Sequence, residues 1–263
     1  MFKIIYSLIL ITAWSSSFSQ TPNTVFLEEL TWTEVRTAID SGATTVIVPT
    51  AGTEQNGPHM VLGKHKFRIN AAAERIAREI GNTLVAPVMT YVPEGSIDPP
   101  EGHMRYAGTI SIPQDVFRSV LEYTARSLKA HGFTDILFIG DSGPNQPGML
   151  EVAEKLNEEW SAEKPRVLYI SEWYSNSDFY NWLKSQGESD ETIGRHAGLF
   201  DTALLLAVAP EHVRVGIMSP GRGRDIDGVS GDPTRATAEL GKIGYDMNFK
   251  AAMIQIRKLM AEK

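Results

Sequence analysis

The sequence predicts an α/β fold in which a layered, mainly parallel sheet is flanked by helices. Three observations carry that prediction. Short apolar runs at 44–49, 84–88, 135–140 and 166–170 have the length and side-chain content of buried strands. Helix-period segments lie between them, so strand and helix alternate four times, the pattern of a parallel sheet covered on both faces. Two of the runs pass directly into polar loops rich in ionisable residues, and in open α/β sheets ligands bind at that carboxyl edge.

The chain begins with a short basic start at Met1 to Lys3, an apolar stretch at 4–14 too short to span a bilayer, and a serine-rich ending at 15–19. This predicts a secretory signal peptide over 1–20, with Ser17 and Ser19 at the small-residue positions. Residues 21–263 are then expected to form one exported domain, periplasmic or secreted. Without cysteine there is no thiol to carry a lipid anchor, no disulfide and no thiolate ligand. A chain of 263 residues with 42% hydrophobic residues can bury a full core. Its net charge of -7, without a dense Lys/Arg run, gives no electrostatic footprint for nucleic acid, so a small molecule is the expected partner.

In chain order, Thr31 stands before a helix-like run as an N-cap, with a short helix to about Asp40. Residues 44–49 form the first central strand. A helix over 67–80 follows, with Ile69, Ala72, Ala73, Ile76 and Ile80 at helical spacing and Gly81 as its end. After the strand at 84–88, a long connection over 89–106 carries Glu94, Asp98, Glu101, His103 and Arg105, and such loops are more often functional than idle. Extended structure resumes at 108–112, and a second amphipathic helix covers 114–131, closed by Gly132. The strand at 135–140 runs into Asp141-Ser142-Gly143-Pro144-Asn145. Pro147 and Gly148 lead into a helix through Trp160, followed by the strand at 166–170. Residues 171–194 are aromatic and irregular, either a packed surface segment or a substrate-enclosing lid. An apolar helix through Val208, a Gly/Asp-rich stretch at 221–234 and a long helix over 237–260 complete the chain.

The stretch that gathers the most chemistry is Thr53-Glu54-Gln55-Asn56-Gly57-Pro58-His59, continuing through Leu62-Gly63-Lys64-His65. One carboxylate, two imidazoles, two amides and a lysine lie within it, and its glycines and proline suit a bent, exposed loop. Together with Gly108-Thr109-Ile110-Ser111, the loop 141–145, His196-Ala197-Gly198 with Thr202, and Gly228-Val229-Ser230-Gly231-Asp232-Pro233, it resembles the creatininase (creatinine amidohydrolase) family. The resemblance runs from about Leu27 to Met260. It implies a creatininase-like α/β fold, a metal site at the strand ends, hydrolysis of cyclic amides, formamides or peptides, and frequently a homohexamer.

The departures from the family pattern shape the expected site. The usual Glu-Gln-His-Gly-Pro-His keeps its glutamate as Glu54, but Asn56 replaces a metal-binding histidine and His65 a bridging aspartate. Ser142 stands in place of a second metal-binding histidine, Asp141 lies one position earlier, Asp201 replaces a glutamate, and Arg195 precedes His196. Without a bridging carboxylate the dinuclear site is expected to reduce to one divalent ion, Zn or Mn, on Glu54, His65 and Asp141. Asp141 is alternatively an N-cap, and Glu54 alternatively a partner of Lys64. Glu54 and His196 are the expected catalytic groups, His196 by analogy with a family histidine that protonates the leaving nitrogen. Asn56, His59, His103, Arg105, Ser142, Asn145, Trp173 and Arg195 are the expected substrate-binding residues, Ser142 and Asn145 as oxyanion donors.

The function expected from these residues is an exported, metal-dependent amidohydrolase that cleaves a C–N bond of a small cyclic amide or formamide other than creatinine. A metal-dependent isomerase or lyase on a polar, sugar-like substrate and a non-catalytic periplasmic binding protein are the alternatives. A homo-oligomer without a membrane anchor after signal cleavage is expected from the resemblance and the leader.

Overall fold

The computed structural model describes residues 22–161 and 164–262, so the expected signal peptide lies outside the described residues. Four strands, β1 (Thr45–Thr50), β2 (Thr83–Val85), β3 (Asp135–Gly140) and β4 (Arg166–Ile170), pair in parallel in the order β2-β1-β3-β4. Every residue of β1 and β3 is buried, and the apolar centres of both, Val46 to Val48 and Ile136 to Ile139, suit strands covered on both faces. The chain leaves β1 toward one edge and β3 toward the other. Their carboxyl ends therefore flank a topological switch point, where the connecting loops diverge and leave a crevice.

Nine α-helices are seen among the described residues: α1 (Trp32–Asp40), α2 (Lys64–Ile80), α3 (Gln114–His131), α4 (Asn145–Trp160), α5 (Glu172–Ser175), α6 (Asp178–Ser185), α7 (Asp190–Ile193), α8 (Leu199–Val208) and α9 (Ala238–Ala261). Thr31 and Glu34 form a capping box at the start of α1, which satisfies two otherwise orphaned N–H groups. Side chains alternate across the strands, so Ile47, Leu137 and Ile139 pack with α2, α8 and α9, while Val46, Val48, Ile136 and Phe138 pack with α3 and α4.

Three boundaries differ from expectation. Helix α2 begins at Lys64 rather than Phe67; Gly63 caps it without a side-chain hydrogen bond, so no Ser/Thr/Asp/Asn signal marks the start. β2 ends at Val85 because Pro87 has no N–H to continue a ladder. Residues 108–112 make only isolated bridges, Thr53 with Ile110 and Val92 with Ser111.

Helices α8 and α9 approach so closely that a Cβ at Gly241 would lie 1.8 Å from the Ala203 carbonyl oxygen. Gly241→Val is therefore expected to cost about 1–3 kcal/mol, read as a fall in Tm of roughly 2–4 °C per kcal/mol. Gly216→Ala, where an added Cβ meets nothing, leaves Tm unchanged.

Candidate active site

The loop after β1 is not an exposed bend. Glu54, Gln55, Asn56 and His59 are all buried, and each makes polar contacts within the fold. Asn56 Nδ2 donates to the carbonyls of Glu54 (2.9 Å) and Val61 (3.1 Å), drawing the loop onto itself, and the Gln55 N–H donates to Thr109 Oγ1 at 3.1 Å. His59 Nε2 lies 2.9 Å from Thr202 Oγ1. What the loop presents to the crevice is Glu54.

The first turn of α2 lies opposite. Lys64 and His65 are buried there, and Arg68 follows on the same face one turn later. His65 sits between two carboxylates, its Nε2 2.8 Å from Glu54 Oε1 and its Nδ1 2.7 Å from Asp141 Oδ2. Lys64 Nζ lies 3.2 Å from Asp201 Oδ2 and 3.5 Å from Glu54 Oε1. Arg68 reaches Asp201 Oδ1 at 2.8 Å and Asp141 Oδ1 at 3.2 Å, and Asp141 Oδ1 also accepts from Trp173 Nε1 at 2.9 Å. Asp141 is thus not an N-cap. Its oxygens are taken up by an imidazole, a guanidinium and an indole.

The electrostatics follow from this network. Burial works to raise Glu54, but His65 and Lys64 overcome it and hold the carboxyl well below its ordinary range. Burial is likewise outweighed at Asp201 by Lys64 and Arg68, which lower it strongly. At His65, burial and Lys64 favour the neutral ring, yet the Glu54 charge and the hydrogen bonds the ring donates to Asp141 and Glu54 raise it above the ordinary histidine value.

This geometry changes the expected metal set. The two nitrogens of one imidazole point in opposite directions, and here each is occupied by a different carboxylate, so Glu54, His65 and Asp141 do not converge on one point. Glu54, His103 and His196 do: they offer ligand atoms all within 4.8 Å of one another. His103 comes from a 3₁₀ turn, Gly102–Arg105, in the long loop; its Nε2 is 3.2 Å from Glu54 Oε2 and its ring is 4.6 Å from that of His196. His196 Nε2 donates to the Gln55 carbonyl at 2.9 Å, which leaves an unprotonated Nδ1 facing Glu54 Oε1 at 3.8 Å. Burial, with Lys64 adding to it, lowers His196 to about 3. A neutral imidazole with its tautomer fixed by a backbone carbonyl is the arrangement metal-binding histidines use.

A cavity of about 460 Å³ opens beside this cluster, and its walls include Glu54, Lys64, His65, Asp141, Ser142 and His196. Trp173 and Arg195 also line it, Trp173 buried and Arg195 exposed. Other expected substrate-binding residues lie elsewhere. Asn145 spends its Nδ2 on Thr50 Oγ1 (3.0 Å) and the Ala51 carbonyl (2.7 Å), so it braces the strand end instead of facing an oxyanion. Arg105 is exposed and pairs with Asp225, while Asn56 and His59 are loop and core contacts. The sequence reading gave no site role to Arg68, Tyr174, Arg224 or Asn248, which all line the cavity. Arg68 had a signal in its spacing from Lys64; the others are brought in by distant elements.

Asp201 joins the amino end of α8 to α2 through Lys64 and Arg68, and accepts from the Ala197 N–H at 2.9 Å. Asp201→Asn is expected to destabilise the protein at pH 7 by roughly 1.5–3 kcal/mol by removing the charge that Lys64 and Arg68 share, although they keep Glu54 and Asp141 as partners. Because the folded-state pKa is depressed, the wild-type contribution is present above the unfolded value near 3.8 and is lost as pH falls. Thermal melts from pH 7 to pH 3 should show the gap between variant and wild type beginning to close below about pH 4.

The family model for creatinine amidohydrolase matches residues 28–254. Creatinine amidohydrolase of Pseudomonas putida is 26% identical over 194 residues, 72% of this chain and 74% of that protein. A 3-dehydro-scyllo-inosose hydrolase of Thermotoga maritima is 23% identical over 191 residues, 72% of this chain and 58% of that protein. A crystal structure of creatininase superimposes with a TM-score of 0.77 at 21% identity, covering 92% of this chain and all of the other, and zinc-zinc and manganese forms of creatininase superimpose at 0.74. The match over most of its length, with the fold and the polar crevice between β1 and β3, makes this chain a member of the creatininase family of metal-dependent amidohydrolases.

Proposed function

We propose that the protein is an exported hydrolase that cleaves the C–N bond of a small, polar amide, cyclic amide or formamide, using one divalent ion, Zn or Mn, held by Glu54, His103 and His196. The observation that carries this reading is the convergence of those three side chains at the rim of the switch-point crevice, with His196 offering an unprotonated nitrogen. One carboxylate and two imidazoles form a donor set that both metals accept. A divalent ion bound there supplies Lewis-acid polarisation of a substrate carbonyl and of a water.

The chain's own residues orient and neutralise. His65, locked against Asp141, fixes the Glu54 carboxylate, the role of a residue that positions a ligand from behind. Lys64, 1% exposed and on the cavity wall, sets an ammonium beside Glu54, where it can stabilise negative charge developing on a substrate oxygen. Tyr174, also on the wall, keeps its proton, since burial and the nearby carboxylates push its hydroxyl up to about 12. His196 is assigned to binding rather than to proton donation, because its one N–H is committed to the Gln55 carbonyl.

The altered loop residues, with Asn56, His65 and Ser142 where the family pattern has metal-binding residues, support a substrate other than creatinine. The leader-like sequence at 1–20 supports export, and the family resemblance supports a homo-oligomer. A lyase or isomerase acting on a sugar-like substrate is the second reading, favoured by the polar cavity wall. Product mass separates the two, since hydrolysis adds a water.

Metal analysis of protein purified without chelator should find near one equivalent, lost in Glu54→Gln and His196→Ala together with hydrolysis of an amide, lactam and formamide panel. His65→Ala keeps all three ligands and should retain metal with affinity lowered about 10- to 100-fold. Loss of metal from His65→Ala but not from His196→Ala would return the site to Glu54, His65 and Asp141. No metal and no turnover in the wild type, even with added Zn²⁺ or Mn²⁺, would overturn the reading.

A further inference from the structure

Two cationic side chains on the cavity wall have no place in the network described above. Among the described residues, Arg195, Arg214 and Arg224 are the arginines that pair with no carboxylate, and two of these three, Arg195 and Arg224, line the cavity. Asp190, whose charge interacts with Arg195, is already held by Lys184 at 2.6 Å and by the Tyr180 hydroxyl at 2.5 Å. Deeper on the wall, Glu54, Asp141 and Asp201 are answered by Lys64 and Arg68. With Arg195 and Arg224 added, the wall sets four cationic side chains against three carboxylates, in a chain whose net charge is -7. A concave site of that sign draws in anions, and a divalent ion at the cluster strengthens the pull.

Each of the two arginines is tied to one histidine of the ligand cluster. The Arg195 N–H donates to the Ser230 carbonyl at 2.9 Å, and the Ser230 N–H donates to the His196 carbonyl at 2.8 Å, which fixes Arg195 in the chain beside His196. The segment is pressed against that strip: a Cβ at Gly194, whose φ is 71°, would lie 1.8 Å from the Ser230 carbonyl oxygen. Arg224 Nη2 lies 3.0 Å from His103 Nε2, and the Arg224 carbonyl accepts from the Tyr106 hydroxyl. The rings of His103 and His196 are 4.6 Å apart, so the two arginines come to the same end of the cavity from different loops. Both are exposed, and a guanidinium presents a planar fork of donors that fits the paired oxygens of a carboxylate or phosphate.

We propose that the substrate carries an oxyanionic group, a carboxylate or a phosphate, and that Arg195 and Arg224 bind it while the C–N bond to be cleaved lies at Glu54, His103 and His196. The bond cleaved rests on the hydrolase reading above; the anion site stands on the two unpaired arginines and the positive wall. These arginines touch the substrate away from the reacting atoms and set its specificity. A neutral substrate of the same shape leaves both without a partner.

Binding is tested by calorimetric titration of succinate, inorganic phosphate and the uncharged succinamide into full-chain protein, both metal-loaded and chelator-stripped. The stripped protein should bind an anion and not succinamide, and the tighter of succinate and phosphate identifies the group. Arg195→Gln and Arg224→Gln should each weaken that anion about 10- to 100-fold. Arg214→Gln, whose arginine also lacks a carboxylate but lies off the cavity wall, should bind as the wild type does. With metal-loaded protein, kcat/KM should favour N-formylglycine over its uncharged amide, and either cavity variant should erode that preference through KM. Anions bound no tighter than succinamide, or wild-type anion affinity in both cavity variants, would overturn the proposal and leave the metal content and the hydrolysis panel to decide the hydrolase reading. Arginine-dependent anion binding by a protein that neither takes up metal nor turns over any amide would sustain the anion site and overturn that reading instead.

Discussion

The compensation of buried carboxylates by the first turn of α2 is the interaction on which the rest of the site depends. β1 and β3 end side by side, and the residues that follow them, Glu54 and Asp141, are almost wholly excluded from water. An isolated carboxylate in that position would cost several kcal/mol or give up its charge. Lys64, His65 and Arg68 stand on one face of α2 and meet Glu54, Asp141 and Asp201 between them. Helix α2, the ends of two central strands and the start of α8 are thereby tied at one point, which is also the wall of the cavity. Stability and site geometry are the same network seen from two sides.

Within that network the side chains divide by what their atoms are already doing. His65 has both nitrogens engaged by carboxylates, Asp141 has its oxygens engaged by three donors, and Asn56 and Asn145 spend their amides on backbone or hydroxyl groups. These groups hold the frame. His196, whose Nε2 alone is engaged by a backbone carbonyl, retains a free Nδ1. Of the positions taken from the family pattern, Asn56 and His65 serve the frame here, while Glu54 converges with His103 and His196, which are delivered by loops.

That shift places the site partly on segments less firmly held than the strand ends. His103 and Glu94 belong to one loop, which is fastened to the 221–231 stretch by the Arg105–Asp225 pair, by the Tyr106 hydroxyl donating to the Arg224 carbonyl, and by Arg224 Nη2 at 3.0 Å from His103 Nε2. Exposed polar ties of this kind open at lower free energy than packed core.

The alternation of apolar runs with helix-period segments was enough to specify an α/β sheet, and the runs at 135–140 and 166–170 and the helix at 114–131 coincide with β3, β4 and α3, because burial on both faces or on one stripe leaves its period in the sequence. The order of motifs was enough to specify the family, and local chemistry placed Glu54 at a strand end. Local sequence could not say which polar groups would meet. Glu54 and His103 are separated by 49 positions and Glu54 and His196 by 142, and their convergence depends on how three loops fold over the switch point. Nor could it say that His65 would be saturated, because whether an imidazole binds a metal or bridges two carboxylates depends on which partners reach each nitrogen, and only the packing of α2 against the ends of β1 and β3 decided that.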